Sequence, residues 1–457
     1  MNAPELVIRA RRVVLPDVVA SASVHVHDGR IVAVGSFDDV PRGCELIEAD
    51  DETVVAPGVV DTHVHINEPG RTEWEGFATA TRAAAAGGVT TLVEMPLNSV
   101  PATTTLEGLN TKLAAARAQC FVDVGFWGGV VPGNTDELAR MHAAGVVGFK
   151  CFLVPSGVDE FPHVTETDLR AAMPELARLG ALLIVHAELP APIDAALAAE
   201  QRTQADPRCY ATFLNSRPKA AEDEAVALMI RLCRATGARV HIVHHSSATS
   251  LKLIRAAKEE GLPFTAETCP HYLTFAAEDV PDGATEFKCC PPIRERANRE
   301  ELWRALNDGT LDMIVSDHSP CPPEMKRREA GDFLQAWGGI SSLQLRLPII
   351  WSQAHARKFD LRQMFDWLAA RPARLVGLEQ QKGAIKVGCD ADMVIFKPES
   401  SLRVEAQMLY HKHKLTPYAG QVLRGVVEMT FLRGVKIYER GEFLTEATGA
   451  LLMRGAA

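Results

Sequence analysis

The sequence predicts an α/β protein, in which a (β/α)8 TIM barrel is joined to a small β-sandwich assembled from both chain termini. Eight short apolar runs in the middle of the chain are each followed by a stretch rich in Ala, Leu, Arg and Glu. This alternation is typical of βα units and a parallel sheet, and eight such units close a barrel. β-rich segments flank the centre on both sides. We therefore predict the barrel at residues 57–375 and the sandwich at residues 1–56 and 376–457.

Composition and charge exclude several classes of protein. The chain has 457 residues, of which 47% are hydrophobic and 23% charged, as in a globular protein of about two domains. The 48 basic residues are outnumbered by 58 acidic ones, so the net charge of −10 argues against nucleic acid or an anionic membrane as a partner. No apolar run is long enough to span a bilayer, and the first residues lack a signal-peptide core. Ten cysteines without paired spacing suggest reduced thiols, so we expect a cytoplasmic protein.

The two ends of the chain have the same β-rich character. Residues 1–56 alternate short β-branched runs with turns and contain no long helical pattern; the runs are 6–8, 13–15, 24–26, 31–34 and 54–55. Towards the C-terminus the same pattern predicts strands at 392–396, 426–431 and 435–438. Because these strands lie on both sides of a long central region, they predict one β-sandwich built from both ends.

The central strands are short, apolar and regularly spaced. We predict them at residues 59–63, 89–95, 121–127, 147–152, 181–186, 240–244, 264–268 and 313–317. No Gly-x-Gly-x-x-Gly pattern follows the first strand, which argues against a doubly wound dinucleotide-binding fold. A closed parallel barrel is the remaining prediction.

Polar side chains occur at the carboxyl ends of five of these strands, where barrel enzymes carry their chemistry. The first strand ends in His63 and His65, which point the same way because side chains alternate along a strand. The complete set is His63, His65, Lys150, His186, His244 and Asp317. Since all six lie at one end of the predicted barrel, we predict a shared metal site there.

Two metal ions fit this set better than one. Four histidines and a carboxylate exceed the three protein ligands of a catalytic zinc, but suit a pair of ions ~3.5–4 Å apart. Lys150 requires a separate explanation, because an ammonium group has no lone pair for a metal. A neutral Lys150 carbamylated by carbon dioxide would present an anion able to bridge both ions.

Each of the six residues has an ordinary structural interpretation when taken alone, such as a core histidine, a snorkelling lysine or a capping aspartate. A second histidine pair in the sequence serves as a control. His25 and His27 have the same spacing as His63 and His65, but they lead into the turn residues Asp28 and Gly29. We interpret His25 and His27 as exposed strand residues without a role in metal binding.

The whole pattern resembles the amidohydrolase superfamily, specifically its cyclic amidases: dihydroorotases, hydantoinases and allantoinases. The resemblance covers essentially the whole chain, and it implies His63, His65, Lys150 and Asp317 on the more buried ion and Lys150, His186 and His244 on the more exposed one. It further implies that Lys150 is N6-carboxylated and that a hydroxide bridges the two ions. The ions are most simply Zn²⁺, although Co²⁺ or Mn²⁺ also suit these ligands. The resemblance also implies a homotetramer.

Within this superfamily several stretches look like allantoinases, namely residues 95–99, 101–104, 148–153, 156–162, 287–294, 316–321 and 337–342. Two positions depart from the relatives. Dihydroorotases typically place an arginine where this chain has Asn67, and hydantoinases typically place a tyrosine near the oxyanion where it has Pro155. The resemblance therefore implies hydrolysis of allantoin to allantoate in purine catabolism, with the oxyanion donor left open between backbone N–H groups and a metal.

The same resemblance assigns roles to single residues. Asp317 takes the proton of the attacking hydroxide and passes it to the ring nitrogen, while Asn67, Asn98, Cys290 and Gly339 contact the substrate. Cys290 could equally be a small residue in a tight turn. The alternative functions are a hydantoinase or dihydropyrimidinase acting on other cyclic imides and, from another class, a metal-free scaffold protein that has lost catalysis.

Overall fold

The computed structural model describes residues 3–455 and begins with five strands. These strands are β1 (Leu6–Val14), β2 (Val19–His27), β3 (Arg30–Ser36), β4 (Glu45–Glu48) and β5 (Val54–Pro57). The two runs predicted at 6–8 and 13–15 form one strand, β1, whose register against β2 shifts between Ala10 and Val13. Strand β4, which pairs in parallel with β1, was not predicted.

Parallel strands follow at each of the eight predicted positions. They are β6 (Val59–Val64), β7 (Val89–Glu94), β8 (Asp123–Phe126), β9 (Gly128–Gly129), β10 (Phe149–Phe152), β11 (Leu182–His186), β12 (Arg239–Ile242), β13 (Phe264–Thr268) and β14 (Met313–Ile314). The third predicted strand, 121–127, contains β8, which pairs with β7, while β9 lies just beyond its predicted end and pairs with β10. The indole Nε1 of Trp127 donates to Thr62 O (2.9 Å) across the barrel interior.

The last strand region closes onto the first. Val64 forms a parallel bridge with His318, and His65 N donates to His318 O (2.8 Å). This pairing places the residues that follow β14 beside the carboxyl end of β6. The structure thus confirms the predicted (β/α)8 barrel.

Helices surround the barrel. They are α1 (Phe77–Ala86), α2 (Leu106–Ala116), α3 (Thr135–Ala143), α4 (Glu166–Leu179), α5 (Pro190–Thr203), α6 (Tyr210–Ser216), α7 (Lys219–Thr236), α8 (Leu251–Glu259), α9 (Pro270–Thr274), α10 (Arg296–Asn307), α11 (Arg346–Ala356), α12 (Leu361–Phe365) and α13 (Arg371–Leu375). Helix α4 begins with a capping box, in which Thr165 and Asp168 satisfy each other's backbone N–H groups. Across residues 3–455, no helix has both the length and the apolar character needed to cross a membrane.

Five more strands complete the chain: β15 (Met393–Arg403), β16 (Val422–Leu432), β17 (Val435–Glu439), β18 (Glu442–Phe443) and β19 (Leu451–Leu452). Four of them join the N-terminal strands in a nine-stranded sheet of order β18-β17-β16-β15-β5-β1-β2-β3, with β4 beside β1. The two ends of the chain meet where β15 pairs antiparallel with β5. The sandwich therefore forms from both termini, as predicted, whereas the domain boundaries at 57 and 375 stay a prediction.

The final strand was not predicted and leaves this sheet. Leu451 and Leu452 of β19 pair in parallel with β8, so the C-terminal segment adds a strand beside the barrel strands. The control histidine pair also differs from expectation. His25 lies in β2 as predicted, but it is buried rather than exposed, and its Nε2 bonds to Ser23 Oγ (3.0 Å) and Asp39 O (2.8 Å). The loop after β3 covers this histidine, a non-local contact that the β2 pattern does not reveal.

A buried charged cluster joins the C-terminal segment to the barrel. Lys382 Nζ lies 2.6 Å from a carboxylate oxygen of Asp123 in β8, 2.8 Å from Asp390 and 2.7 Å from Asp392. Lys382, Asp123 and Asp392 are almost fully buried. The ammonium therefore compensates carboxylates that water cannot reach.

We expect Lys382→Met to lower the free energy of unfolding by about 3–5 kcal/mol, because it leaves the buried Asp392 carboxylate without its ion-pair partner, whereas Asp123 keeps Arg433. Urea denaturation measures this loss, with Lys386→Met as the control because Lys386 is an exposed lysine four residues away. Equal stability of the two variants would contradict the role assigned to Lys382.

Candidate metal centre

The six predicted residues converge at the carboxyl ends of the barrel strands. His63 lies in β6, Lys150 in β10, and His186 is the last residue of β11. His65, His244 and Asp317 follow β6, β12 and β14 within a few residues. All six are buried, with relative exposures from 0% for Lys150 to 6% for His65 and Asp317.

One group of ligand atoms surrounds the Asp317 carboxylate. His63 Nε2 lies 3.1 Å and His65 Nε2 3.7 Å from Asp317 Oδ1. The ligand atoms of these three residues all lie within 4.8 Å of one another. Two imidazoles and a carboxylate at this spacing form a suitable set for a divalent ion.

A second group adjoins the first. His186 Nδ1 lies 3.0 Å from His244 Nε2, and the ring of His244 is 5.3 Å from that of His63 between centroids. Lys150 lies in the same interior, with its Nζ 4.9 Å from the centre of the Phe152 ring. The six side chains therefore form one continuous cluster.

The backbone at the cluster is strained. Asp317 has φ +46° and His244 has φ +37°, and Asn67 and Asn98 also have φ of +67° and +64°. Residues with a Cβ rarely adopt these left-handed values, which cost free energy and concentrate at functional sites. Asparagine tolerates this region, so the strain falls mainly on His244 and Asp317, two residues of the cluster.

Two buried carboxylates that sequence analysis missed orient the histidines. Glu267 in β13 accepts from His63 Nδ1 (2.6 Å) and His241 Nε2 (3.0 Å), and Glu188 accepts from His186 Nε2 (2.8 Å). Such partners fix the tautomer and leave the opposite ring nitrogen free for a metal. The sequence did contain a signal for Glu267, because a glutamate inside a predicted apolar strand is buried and therefore requires a hydrogen-bond partner.

Burial controls the protonation of the cluster. Burial lowers the pKa of His65 and His244 well below the usual value, so both rings are neutral and have a lone pair to offer. Burial alone would raise the pKa of Asp317, but the adjacent His63 holds it well below its usual range. Burial lowers the pKa of Lys150 to about 8, which makes the neutral amine accessible near neutral pH.

Two buried polar atoms here, His244 Nδ1 and Lys150 Nζ, have no hydrogen-bond partner within the protein. His63 Nε2 faces the Asp317 carboxylate at 3.1 Å. Unsatisfied buried groups are costly, and divalent ions bridged by a carboxylated lysine would satisfy Lys150 Nζ directly and take His63 Nε2 as a ligand. The residues present therefore fit the metal centre that the sequence predicted.

A cavity of about 240 Å³ opens onto the cluster. His65, His186, His244 and Asp317 of the cluster line it, and Asn98, Cys290 and Gly339 are also among its lining residues. Asn67 is not among the lining residues, and its Nδ2 donates to Pro320 O (3.3 Å). Asn98, Cys290 and Gly339 could therefore contact a ligand in this cavity, whereas Asn67 does not line it. The roles of all four in substrate binding remain predictions.

Comparison with known proteins identifies close similarity over the whole chain. The Amidohydrolase family model matches residues 54–437. A protein of Streptomyces avermitilis named allantoinase is 53% identical over 99% of this chain and 100% of its own length, and a mitochondrial allantoinase of Aquarana catesbeiana is 50% identical over 83% and 77%. The structure of an L-hydantoinase (dihydropyrimidinase) from Arthrobacter aurescens matches with a TM-score of 0.93 and 31% identity over 98% of this chain and 100% of that one.

Glu188 supplies a pH-dependent test of the histidine-orienting contacts. Burial would raise its pKa, but Arg217 and His186 lower it from 4.5 to about 2. The unfolded chain therefore takes up a proton at Glu188 before the folded one does, so this contribution to stability is present above about pH 4.5 and is lost towards pH 2.

We expect Glu188→Gln to reduce the free energy of unfolding at pH 7 by about 3–5 kcal/mol, because Arg217 loses its carboxylate. The difference from the wild type should shrink as pH falls below about 5. Urea denaturation in the presence of a chelator measures it, and Glu107→Gln, at an exposed glutamate, controls for loss of one carboxyl group. A difference that did not vary with pH would contradict this account.

Proposed function

We propose that this chain, which belongs to the amidohydrolase family, hydrolyses a ring amide bond of allantoin to give allantoate in purine catabolism. It is a hydrolase of cyclic amides, and its substrate is a small molecule. The observation that carries the proposal is 53% identity with an allantoinase over nearly the full chain, combined with a filled set of six ligand positions. The identity supports the substrate, and the six residues support the chemistry.

Family membership and the buried group of His63, His65 and Asp317 support the use of a divalent metal. We propose two ions, Zn²⁺ in the first instance with Co²⁺ or Mn²⁺ as alternatives. His63, His65 and Asp317 would hold one ion, and His186 and His244 the other. Lys150, as its carbon dioxide adduct N6-carboxylysine, would bridge them, because a neutral amine inside this cluster can form the carbamate.

When bound, such ions lower the pKa of water and polarise a carbonyl group. Asp317 is ionised at neutral pH, so its carboxylate can take a proton from the attacking water and deliver it to the ring nitrogen that leaves. Water adds across the ring C–N bond: its oxygen joins the carbonyl carbon, the C–N bond breaks, and the nitrogen gains the proton. Glu267 and Glu188 keep His63 and His186 oriented during this step.

The cavity walls would position the ring. Gly339 has φ +132°, and an added Cβ would clash with Ser319 O, so only glycine permits this close approach of two backbone segments beside the cavity. Asn98 Oδ1 is buried without a partner and is available to accept a hydrogen bond from a ring N–H. Cys290 would contact the ring as the third wall residue, and Asn67 would act indirectly by holding Pro320.

A hydantoinase or dihydropyrimidinase is the second candidate, supported by the structural match to the L-hydantoinase of Arthrobacter aurescens. The sequence identity of this chain with that hydantoinase, 31%, is lower than its identity with the two allantoinases. This chain also has Pro155 where hydantoinases typically place a tyrosine. A metal-free scaffold has less support, because every ligand position is filled. Assembly as a homotetramer and a cytoplasmic location are further proposals that rest on the resemblance alone.

Ring opening by the metal-reconstituted protein tests the function, with racemic allantoin, hydantoin and dihydroorotate compared side by side. We expect turnover of allantoin to exceed that of the other two, because the chain is 53% identical to an allantoinase but 31% identical to the L-hydantoinase. Preference for hydantoin would replace the proposal by its alternative, and a protein that binds no metal and opens none of the rings would favour a scaffold.

Substitution of Lys150 tests the bridge. We expect Lys150→Ala to lose bound metal and at least about 10²-fold in turnover, since losing even an outer partner of a metal ligand costs 10–100-fold. A short-chain carboxylic acid in solution should restore part of both, by occupying the space of the carbamate. Lys252→Ala, at an exposed lysine on α8, is the control, and an unchanged metal content in Lys150→Ala would contradict the bridging role.

A further inference from the structure

Five lysines are buried in the described structure, and four of them have carboxylate or carbonyl partners or lie in the proposed metal centre. The five are Lys112, Lys150, Lys288, Lys326 and Lys382. Lys112 pairs with Glu94 (3.1 Å), and Lys382 with three aspartates. Lys326 Nζ donates to three carbonyl oxygens, those of Lys288, Trp337 and Gly339. Lys150 is the proposed bridge. Lys288 remains.

The ammonium of Lys288 is incompletely satisfied. Its Nζ donates to Leu334 O (3.0 Å), and within residues 3–455 no carboxylate lies within ion-pair distance and no second acceptor is present. The ammonium also lies over the ring of Phe213, whose centre is 5.1 Å from Nζ. An ammonium has three donors, and burying a charge without a counterion is costly. Two donors of Lys288 are therefore free for an acceptor from outside the protein.

Lys288 has a fixed position in the wall of the same cavity. It is 7% exposed and lines the cavity together with Asp317 and Asn98. Its carbonyl oxygen accepts from Gly339 N (2.9 Å) and from Lys326 Nζ (3.3 Å), so its backbone is fixed beside another lining residue of the cavity. The bond from Nζ to Leu334 O holds the ammonium, so an acceptor on the bound substrate would meet a donor that is already positioned.

The other cation lining the cavity is already engaged. Arg217 NH1 pairs with Glu188, which in turn accepts from His186, so Arg217 supports a proposed metal ligand. The Lys288 ammonium has no carboxylate partner of this kind. Of the two basic side chains, Arg217 and Lys288, that line the cavity, Lys288 is therefore the one whose charge a polar ligand would compensate.

We propose that Lys288 Nζ donates a hydrogen bond to the carbonyl oxygen of the ureido arm of allantoin and so selects a ureido-substituted ring over the bare ring. This inference rests on the proposed function. Allantoin is a hydantoin ring that carries a second, acyclic urea group on a ring carbon. With the scissile amide at Asp317, the arm occupies the remainder of the cavity, and its urea oxygen is a strong acceptor. A site built to bond a polar group discriminates against analogues that lack it.

The test compares wild type, Lys288→Met and Lys288→Arg on allantoin and on hydantoin, which is the same ring without the arm. Hydantoin serves as a substrate or, where its turnover is too slow to follow, as a competitive inhibitor of allantoin hydrolysis. We expect Lys288→Met to reduce kcat/KM for allantoin roughly 10- to 150-fold, which is the effect of losing one hydrogen bond to a charged group. Most of the loss should appear as a higher KM. The constant for hydantoin should change less than about 3-fold, since hydantoin makes no such bond. Lys288→Arg keeps a charged donor and should retain more allantoin activity than Lys288→Met.

Thermal unfolding and metal content of each variant establish that the fold and the metal centre are intact, and Lys252→Met controls for loss of an exposed lysine. Equal losses on allantoin and hydantoin would show that Lys288 acts through the fold and would overturn the inference. Unchanged kinetics on allantoin in Lys288→Met would overturn it as well. A wild type that opens hydantoin but not allantoin would refute the proposed function itself, a result obtained before any variant is made.

Discussion

The structure depends on one constraint: polar ligand atoms gathered inside a barrel, away from water, must be neutral, oriented or compensated. His65 and His244 meet it by being neutral, and His63 and His186 by hydrogen bonds to buried carboxylates. Burial favours the neutral amine of Lys150, but its Nζ has no hydrogen-bond partner within the protein. An unsatisfied lysine among four histidines and an aspartate fits the metal centre with a carboxylated bridge that we propose, and this fit links the fold to the proposed chemistry.

The barrel brings the six residues together, and residues outside this set orient their side chains. Parallel strands bring their carboxyl ends to one edge, but a strand alone cannot aim an imidazole nitrogen. Glu267 and Glu188 do this from adjacent positions, and left-handed backbone at His244 and Asp317 turns both residues into the interior. Strain and buried charge both cost stability, so their concentration at one end of the barrel indicates a functional site rather than packing alone.

Sequence reasoning predicts the features that depend on local periodicity and misses those that depend on non-local contacts. All eight barrel strands and the convergence of the six polar residues could be predicted, because alternation and strand ends are visible in one sequence. The burial of His25, the extra strand β4 and the pairing of β19 with β8 could not, since each depends on a segment distant along the chain. The cavity-lining position of Lys288 belongs to the same class: its isolation from carboxylates is a property of the folded protein.

The most direct test of the metal centre is anomalous diffraction from crystals of the zinc-reconstituted protein. The account predicts two ions per chain, one bound by His63, His65 and Asp317 and the other by His186 and His244, each within ~2.0–2.2 Å of its ligand atoms. Electron density for a carboxylated Lys150 should join them. A single ion, ions bound elsewhere, or two ions with an unmodified Lys150 that touches neither would contradict it.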